Sequence, residues 1–303
     1  MTHQDQRRAS AASTARIQVK CRQIEEADLE GVADCLMRGF SSQPRRYWTA
    51  AFELMARRPT MGSYPRYGVL LESDGRIVGV LLQIFFRRRE GEGSVVYCNL
   101  SGWCLDPQFR GYAVMLNSAA MARKEATYLN ISPARHTRPS IEALGFRRYC
   151  DGQFMCFPAL SHSRLAGVRI VPFAPTIPEA DLLSSYDREV LGEHAALGCR
   201  SLIAVEGGKA HPFVFVKLRV LRRLIPCEQL IYCRDIADFV TCAGPVGRYL
   251  LARGSLICLI DANGPVIGLP GRYFPDVRPK YFKGPSPPSL SDLSFTELAV
   301  FGS

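Results

Sequence analysis

The sequence predicts an α/β protein, a mixed sheet flanked by helices, built from two tandem copies of one fold of which the second is degenerate. Three observations predict it. An apolar strand enters a helix through a turn at Leu105 to Met115, residues 17–160 follow a definite element order, and residues 168–303 repeat that order. With 303 residues and 47% hydrophobic content, the chain can fill two ordinary cores.

Each element has its own justification. Met1 to Arg16 is polar and rich in Ser, Ala and Arg, so residues 1–16 read as a disordered tail without the apolar stretch of a secretory signal. Ile17 to Ile24 reads as a strand, Glu26 to Phe40 as a helix with Leu29, Val32, Leu36 and Phe40 along one face, and Tyr47 to Arg57 as a second helix. Asp74-Gly75 marks a hairpin between the β-prone runs Tyr67 to Leu71 and Arg76 to Phe86. Ser94 to Leu105 is rich in β-branched and aromatic residues, and Met115 to Lys124 in good helix formers. Ala126 to Ile131 is a further strand, and a short helix at Ser140 to Leu144 stops at Gly145. The strand Gln153 to Phe157 ends the first domain, residues 17–160.

Pro158 to Gly167 has little periodicity and supplies a linker, placed at 161–167. In the second domain, 168–303, strands are expected at Val168 to Phe173, Ser201 to Val205, Pro212 to Val220, Gln229 to Arg234 and Leu256 to Asp261. Helices are expected at Glu179 to Leu197 and Asp235 to Leu251, and Phe295 to Phe301 would close the sheet. Gly244-Pro245-Val246-Gly247, midway through the second of these helices, reads as a simple turn, the alternative being the start of a shorter helix with weak anion-site potential. Tyr273 to Pro288, dense in Pro, basic and aromatic residues, reads as a long solvated loop, with Lys280, Tyr281 and Lys283 as anion-binding candidates.

Composition narrows the function classes. Eleven cysteines, an odd number without a Cys-x-x-Cys pair, read as small core residues of a reducing compartment, with neither a disulfide framework nor a zinc spacing, so no metal is expected. The net charge of +10 raises nucleic acid as a partner. However, Arg87-Arg88-Arg89, Arg147-Arg148 and Arg222-Arg223 fall at strand ends or turns as solvated clusters, without the interleaved aromatics of a single-strand binder. The excess charge equally suits capture of an anionic cofactor. Val78 to Phe86 is too short to span a bilayer, so the chain reads as cytoplasmic, without membrane insertion. Nothing in the sequence bears on oligomeric state.

Function is most readable at Leu105-Asp-Pro-Gln-Phe-Arg-Gly-Tyr-Ala-Val-Met115. A strand that ends at a helix N-terminus offers unpaired backbone N–H groups and the positive end of the helix dipole, a ready seat for phosphate, with Arg110 and Gly111 where the helix would begin. Leu105, Pro107 and Arg110 match the frame Val-x-Pro-x-x-Arg, and Leu144-Gly145-Phe146 matches a habitual Leu-Gly-Phe at the end of the last helix. In these motifs and in the order of its elements, the first half resembles the Gcn5-related N-acyltransferase family. Where that family has Arg-x-x-Gly-x-Gly, this chain has Ala113 and Met115 at the glycine positions.

The resemblance implies an acyltransferase that uses acetyl-coenzyme A or a longer acyl-coenzyme A and an amine acceptor, by direct attack on the thioester. Backbone near Cys104 and Leu105 would polarise the thioester carbonyl, and Leu105, Arg110, Gly111, Tyr112, Ala113, Val114 and Met115 would line the cofactor. The family's usual acidic Tyr is replaced by Ile141, which leaves Tyr112 and Tyr149 as candidate general acids, or a thiolate that leaves unaided. For the base, Asn99 and Ser101 stand where the family often has a carboxylate, and Glu26 and Glu142 are the alternatives. Cys104 paired with His136 would offer a nucleophile; a buried structural cysteine is the simpler reading. Other readings are a fold-retaining module without chemistry, and an unrelated α/β protein with a coincidental turn.

Overall fold

The computed structural model describes residues 18–90, 93–162, 167–220 and 225–301. The expected tail, Arg222-Arg223 and most of the expected linker lie outside them. The first half contains β1 (Val19–Gln23), α1 (Leu29–Gly39), α2 (Arg45–Arg57), β2 (Gly68–Ser73), β3 (Arg76–Glu90), β4 (Gly93–Leu105), α3 (Ala113–Ala120), β5 (Thr127–Asn130), α4 (Arg138–Ala143) and β6 (Arg147–Cys156). The second contains β7 (Arg169–Pro172), α5 (Ser185–Ala196), β8 (Arg200–Glu206), β9 (Lys209–Val220), β10 (Ile225–Cys233), α6 (Ile236–Leu251), β11 (Ile257–Ala262), β12 (Gly271–Lys283) and α7 (Glu297–Val300).

Local chemistry accounts for most of these. Asp74 and Gly75 both take positive φ (50° and 74°), the backbone a two-residue hairpin turn requires. Gly145 stops α4 at φ 85°, and its N–H donates to the Glu142 carbonyl. In α1, Val32, Ala33, Cys35 and Leu36 are buried along the face laid on the sheet.

Among the described residues all strands belong to one 12-stranded sheet, in the order β1-β2-β3-β4-β5-β12-β6-β11-β10-β9-β8-β7. Counted from either edge, β1 to β5 and β7 to β11 hold corresponding places. The closing strands are exchanged: β12 lies against β5, and β6 lies against β11. The two parallel pairs, β4 with β5 and β10 with β11, also correspond. One face packs on α1, α2, α5 and the C-terminal segment. The opposite face packs on α3 and α4 in the first half and on α6 in the second.

Four expectations need correction. Phe295 to Phe301 is not a strand but a turn followed by α7. The closing strand is β12, inside the stretch read as a long loop. It pairs with β6 at Gly271 to Pro275 and again at Lys280 to Phe282, and the ladder breaks between, where Asp276 and Arg278 have positive φ. The bulge accommodates Pro275 and Pro279 and breaks the alternation that marks a strand. Lys280, expected to be solvated, is 1% exposed and bonds Asp261 at 2.7 Å. Arg88, read as part of a solvated cluster, is buried, because strand alternation turns it inward between exposed Arg87 and Arg89.

The fourth is Gly244 to Gly247, which lies inside α6. A Cβ on Gly247 would stand 2.0 Å from the Ala159 nitrogen and 2.2 Å from the Pro158 carbonyl carbon. The glycine therefore seats the 3-10 turn Pro158–Leu160 directly on the helix. Ala normally stabilises a helix over Gly by about 1 kcal/mol. Here Gly247→Ala is expected to do the opposite and cost about 3 kcal/mol, because the obstacle is backbone. The urea midpoint would show this as a fall.

Among the described residues no helix is long and apolar enough to cross a membrane. The cysteines are free, and nine of the eleven are buried.

Candidate active site

β4 pairs with β3 along its length but with β5 only from Tyr97 to Asn99, opposite Thr127 to Leu129. It then runs on to Leu105 while β5 ends at Asn130, so the two strands part and the last stretch of β4 has an edge that β5 does not cover. A register shift against β3, with Gly102 at φ 59°, puts a bulge in that stretch.

Where β4 ends, Asp106 is buried and accepts hydrogen bonds from Arg38 Nε (2.9 Å) and Arg76 Nη2 (2.9 Å), while Arg38 Nη2 also reaches the Ile77 carbonyl at 2.8 Å. This clamp fixes the turn. The chain then winds through a 3-10 helix, Pro107–Tyr112, straight into α3, with Phe109 buried beneath it. The winding engages part of the expected phosphate seat, since the Ala113 N–H already donates to the Arg110 carbonyl. Neither helix is capped by a side chain.

Arg110 is exposed and, among the described residues, makes no hydrogen bond or ion pair. Gly111 is also exposed, and a Cβ there would meet nothing within 4 Å. Val114 is 66% exposed. These three form an open, basic face beside the end of β4. Leu105, Tyr112 and Met115 instead pack, half-buried, on the core that holds Phe109 and Leu116.

Cys104 is the buried structural cysteine of the simpler reading, and the alternative pairing with His136 is not assembled. Cys104 Sγ lies under α1, 3.4 Å from the Cys35 carbonyl, and a Cβ on Gly39 would come within 2.2 Å of it. The bond with Cys35 holds the Cys104 thiol below its ordinary pKa against the effect of burial, and the Cys35 thiol is pushed up. His136 is exposed in the turn before α4, with no bond to Cys104. Tyr149, on β6, has a buried hydroxyl without a hydrogen-bond partner among the described residues, and burial raises its pKa well above the ordinary value. β12 separates its strand from β5, so Tyr112 and Tyr149 do not converge. Ile141 is buried in α4. Glu142 accepts from the Tyr281 hydroxyl at 3.0 Å, and Glu26 is exposed.

A carboxylate absent from the sequence-derived candidates does reach the gap. The Glu297 N–H donates to Asn99 Oδ1 at 2.7 Å, at the last paired position of β4, and its carboxylate accepts from the Ser132 hydroxyl, just past β5. Ser101, on the free stretch of β4, also acts to lower the pKa of the same carboxylate. Glu297 is 8% exposed, and burial raises its pKa above the ordinary glutamate value. The segment that carries it is held at several points. His194 Nε2 accepts from the Phe295 N–H (3.0 Å), Arg88 donates to the Asp292 carbonyl (2.8 Å), and Phe301 packs edge-on against Tyr47 and Trp48. One signal was available in the sequence: Glu297 is the sole charged residue from Leu293 to Phe301. Of two clefts, one of about 30 Å³ beside Arg58 and Tyr64 and one of about 540 Å³ beside Arg22 and Asp34, neither is lined by Glu297 or the free stretch of β4, although Arg38 and Arg76 of the Asp106 clamp border the larger.

No family model matches the sequence, and no curated protein is similar to it. Solved structures are. A GCN5-related N-acetyltransferase from Anabaena variabilis superposes with a TM-score of 0.59 at 8% identity, covering 88% of this chain and 72% of that one. One from Kribbella flavida gives 0.57 at 14%, covering 88% and 71%. A Pyrococcus horikoshii structure gives 0.55 at 14% and covers 94% of this chain and 96% of that one, so the likeness extends over both halves. The chain has the fold of the GCN5-related N-acetyltransferases.

Within that fold the two halves differ at corresponding turns. After β10, Asp235 caps α6 by accepting from the Ala237 N–H at 2.9 Å, and Arg234 is tied to Asp187 at 2.7 Å. The second turn thus satisfies its own amide and places a negative charge where an anion would sit. The parting of β10 and β11 is also occupied: Cys233 N–H donates to the Ser291 carbonyl, and Leu293 N–H to the Ile231 carbonyl. Among the described residues, only the first half keeps an uncapped turn beside its parted strands.

Proposed function

We propose that this chain is an acyl-coenzyme A dependent acyltransferase that acts on an amine, with acetyl-coenzyme A or a longer acyl-coenzyme A as donor and the site in the first half. The observation that carries this reading is the free edge of β4 beside an uncapped turn that presents an unpaired Arg110 and an open Gly111. An extended thioester arm can lie along such an edge and use backbone N–H and C=O groups as a strand would. A backbone N–H near Cys104 and Leu105 then polarises the thioester carbonyl, the amine attacks directly, and the thiolate, a good leaving group, departs without a strong general acid. Tyr112, beside Arg110, is the general-acid candidate nearer to the turn.

A second reading has its own support. Ala113 has its amide engaged, Met115 is packed into the core, and Ile141 replaces the usual Tyr, which together suit a module that has kept the fold without the chemistry.

Calorimetry with acetyl-coenzyme A and a longer acyl-coenzyme A separates the two. Micromolar binding is expected, weakened roughly tenfold to a hundredfold in Arg110→Glu, the size of a lost charge-assisted contact. Binding unchanged in Arg110→Glu would remove that residue from the site. Absence of binding in the native chain would favour the second reading.

A further inference from the structure

We propose that Glu297 is the general base of the first-half site, so that the far end of the chain completes the catalytic group set of the near half. The proposal rests on the acyltransferase reading above. The parted strands need a group that takes a proton from the attacking amine, and the other carboxylates nearby are committed or misplaced. Asp106 is locked between two arginines, Glu142 is bonded to Tyr281 on the α4 side, and Glu26 is exposed. Glu297 is fixed at the root of the gap by its own N–H on Asn99 Oδ1 (2.7 Å), and its carboxylate bridges toward Ser101 of β4 and Ser132 beyond β5.

A buried carboxylate is a stronger base than a solvated one, and a hydroxyl donor such as Ser132 opposes the rise by favouring the ionised form. The charged and titratable groups within its electrostatic reach are Lys280 of β12, whose field lowers its pKa, and Tyr47 of α2, whose own pKa is raised by burial and further by the Glu297 charge.

The step balances. The amine lone pair forms the C–N bond at the thioester carbonyl carbon, and the C=O electron pair moves to oxygen. Glu297 takes the N–H proton. When the carbonyl re-forms, the C–S bond breaks, and the proton passes to the departing thiolate, so amide and free thiol leave and Glu297 is ionised again. With water in place of the amine the same sequence gives the free acid and the thiol.

The water reaction supplies a test that needs no knowledge of the acceptor. Acetyl-coenzyme A is incubated with the native chain, Glu297→Gln, Glu297→Asp and Ser132→Ala, and loss of thioester absorbance is followed across pH, with acetyl-coenzyme A affinity measured in parallel. The native rate is expected to rise with pH through the raised pKa of Glu297 and then level off. Glu297→Gln, which keeps the backbone bond and the shape, should lose 10²-fold or more of the rate at unchanged affinity. Glu297→Asp should retain part of it. Ser132→Ala removes a donor to the carboxylate and should move the rising limb to higher pH at an unchanged plateau, which a merely structural role would not do.

A Glu297→Gln rate equal to the native rate would overturn the assignment while leaving the cofactor site intact, as would a native chain that binds acetyl-coenzyme A without cleaving it. A native chain that does not bind acetyl-coenzyme A would overturn the acyltransferase reading and this assignment with it.

Discussion

Arg88→Ala is expected to cost about 3–5 kcal/mol of folding stability, the range seen when one partner of a buried ion pair is removed. The side chain leaves β3 for the interior, where Nη2 donates to the Asp292 carbonyl at 2.8 Å and Nε stands 3.1 Å from the Asp292 carboxylate. The guanidinium also lies over the Tyr97 and Phe86 rings at 4.7 and 5.1 Å. Truncation leaves a largely buried carboxylate without its cation and frees the segment leading to Glu297. Urea unfolding should show the loss, Arg88→Lys should recover part of it, and a second change, Asp292→Ala, should cost less in the Arg88→Ala background than alone. Additive effects would mean that the ion pair contributes nothing.

His194 should give the chain a stability that grows with pH between about 4 and 6.5. The ring is fully buried: Nδ1–H donates to the Val190 carbonyl at 2.7 Å, and Nε2 accepts from the Phe295 N–H, so both nitrogens are committed in the neutral form. Burial lowers its pKa from 6.5 to about 4. The unfolded chain therefore binds a proton over this window that the folded chain refuses. The stabilisation is complete above 6.5 and is lost as pH falls toward 4, about 3 kcal/mol in all. Glu193 and Glu297, whose pKa values burial raises, work in the opposite direction as pH rises. The comparison to make is therefore between the native chain and His194→Gln, which can still accept from the Phe295 N–H but does not titrate. The native minus variant difference in unfolding free energy should rise with pH; a flat difference would mean that His194 is charged in the folded state. Because His194 holds Phe295, at φ 61°, two residues from Glu297, acid should also loosen the segment that carries Glu297.

These groups show what a single sequence discloses about such a site. The strand-to-helix turn was readable because its chemistry is contiguous: Leu105, Pro107, Arg110 and Gly111 lie within seven positions. Glu297 was not, because it meets Asn99 across most of the chain. Arg88 was visible as a charge, but its burial follows from the side of β3 on which it falls and from a C-terminal segment that covers that side. Cys104 reads from the sequence as a buried structural cysteine with a nucleophile as the alternative, and it is α1, laid over it, that closes the alternative.

By itself the sequence determined the α/β class, the order of strands and helices through β11, and the turns at Asp74-Gly75 and Gly145. These depend on period, propensity and turn backbone, which residues a few positions apart settle among themselves. The tertiary structure decided the exchange of β6 and β12, the recognition of Gly271–Lys283 as a strand despite its prolines, and the delivery of Glu297 to the parted end of β4. Those outcomes depend on which distant edge offers hydrogen-bond partners and which distant side chains bury a charge, and no local pattern encodes the partner.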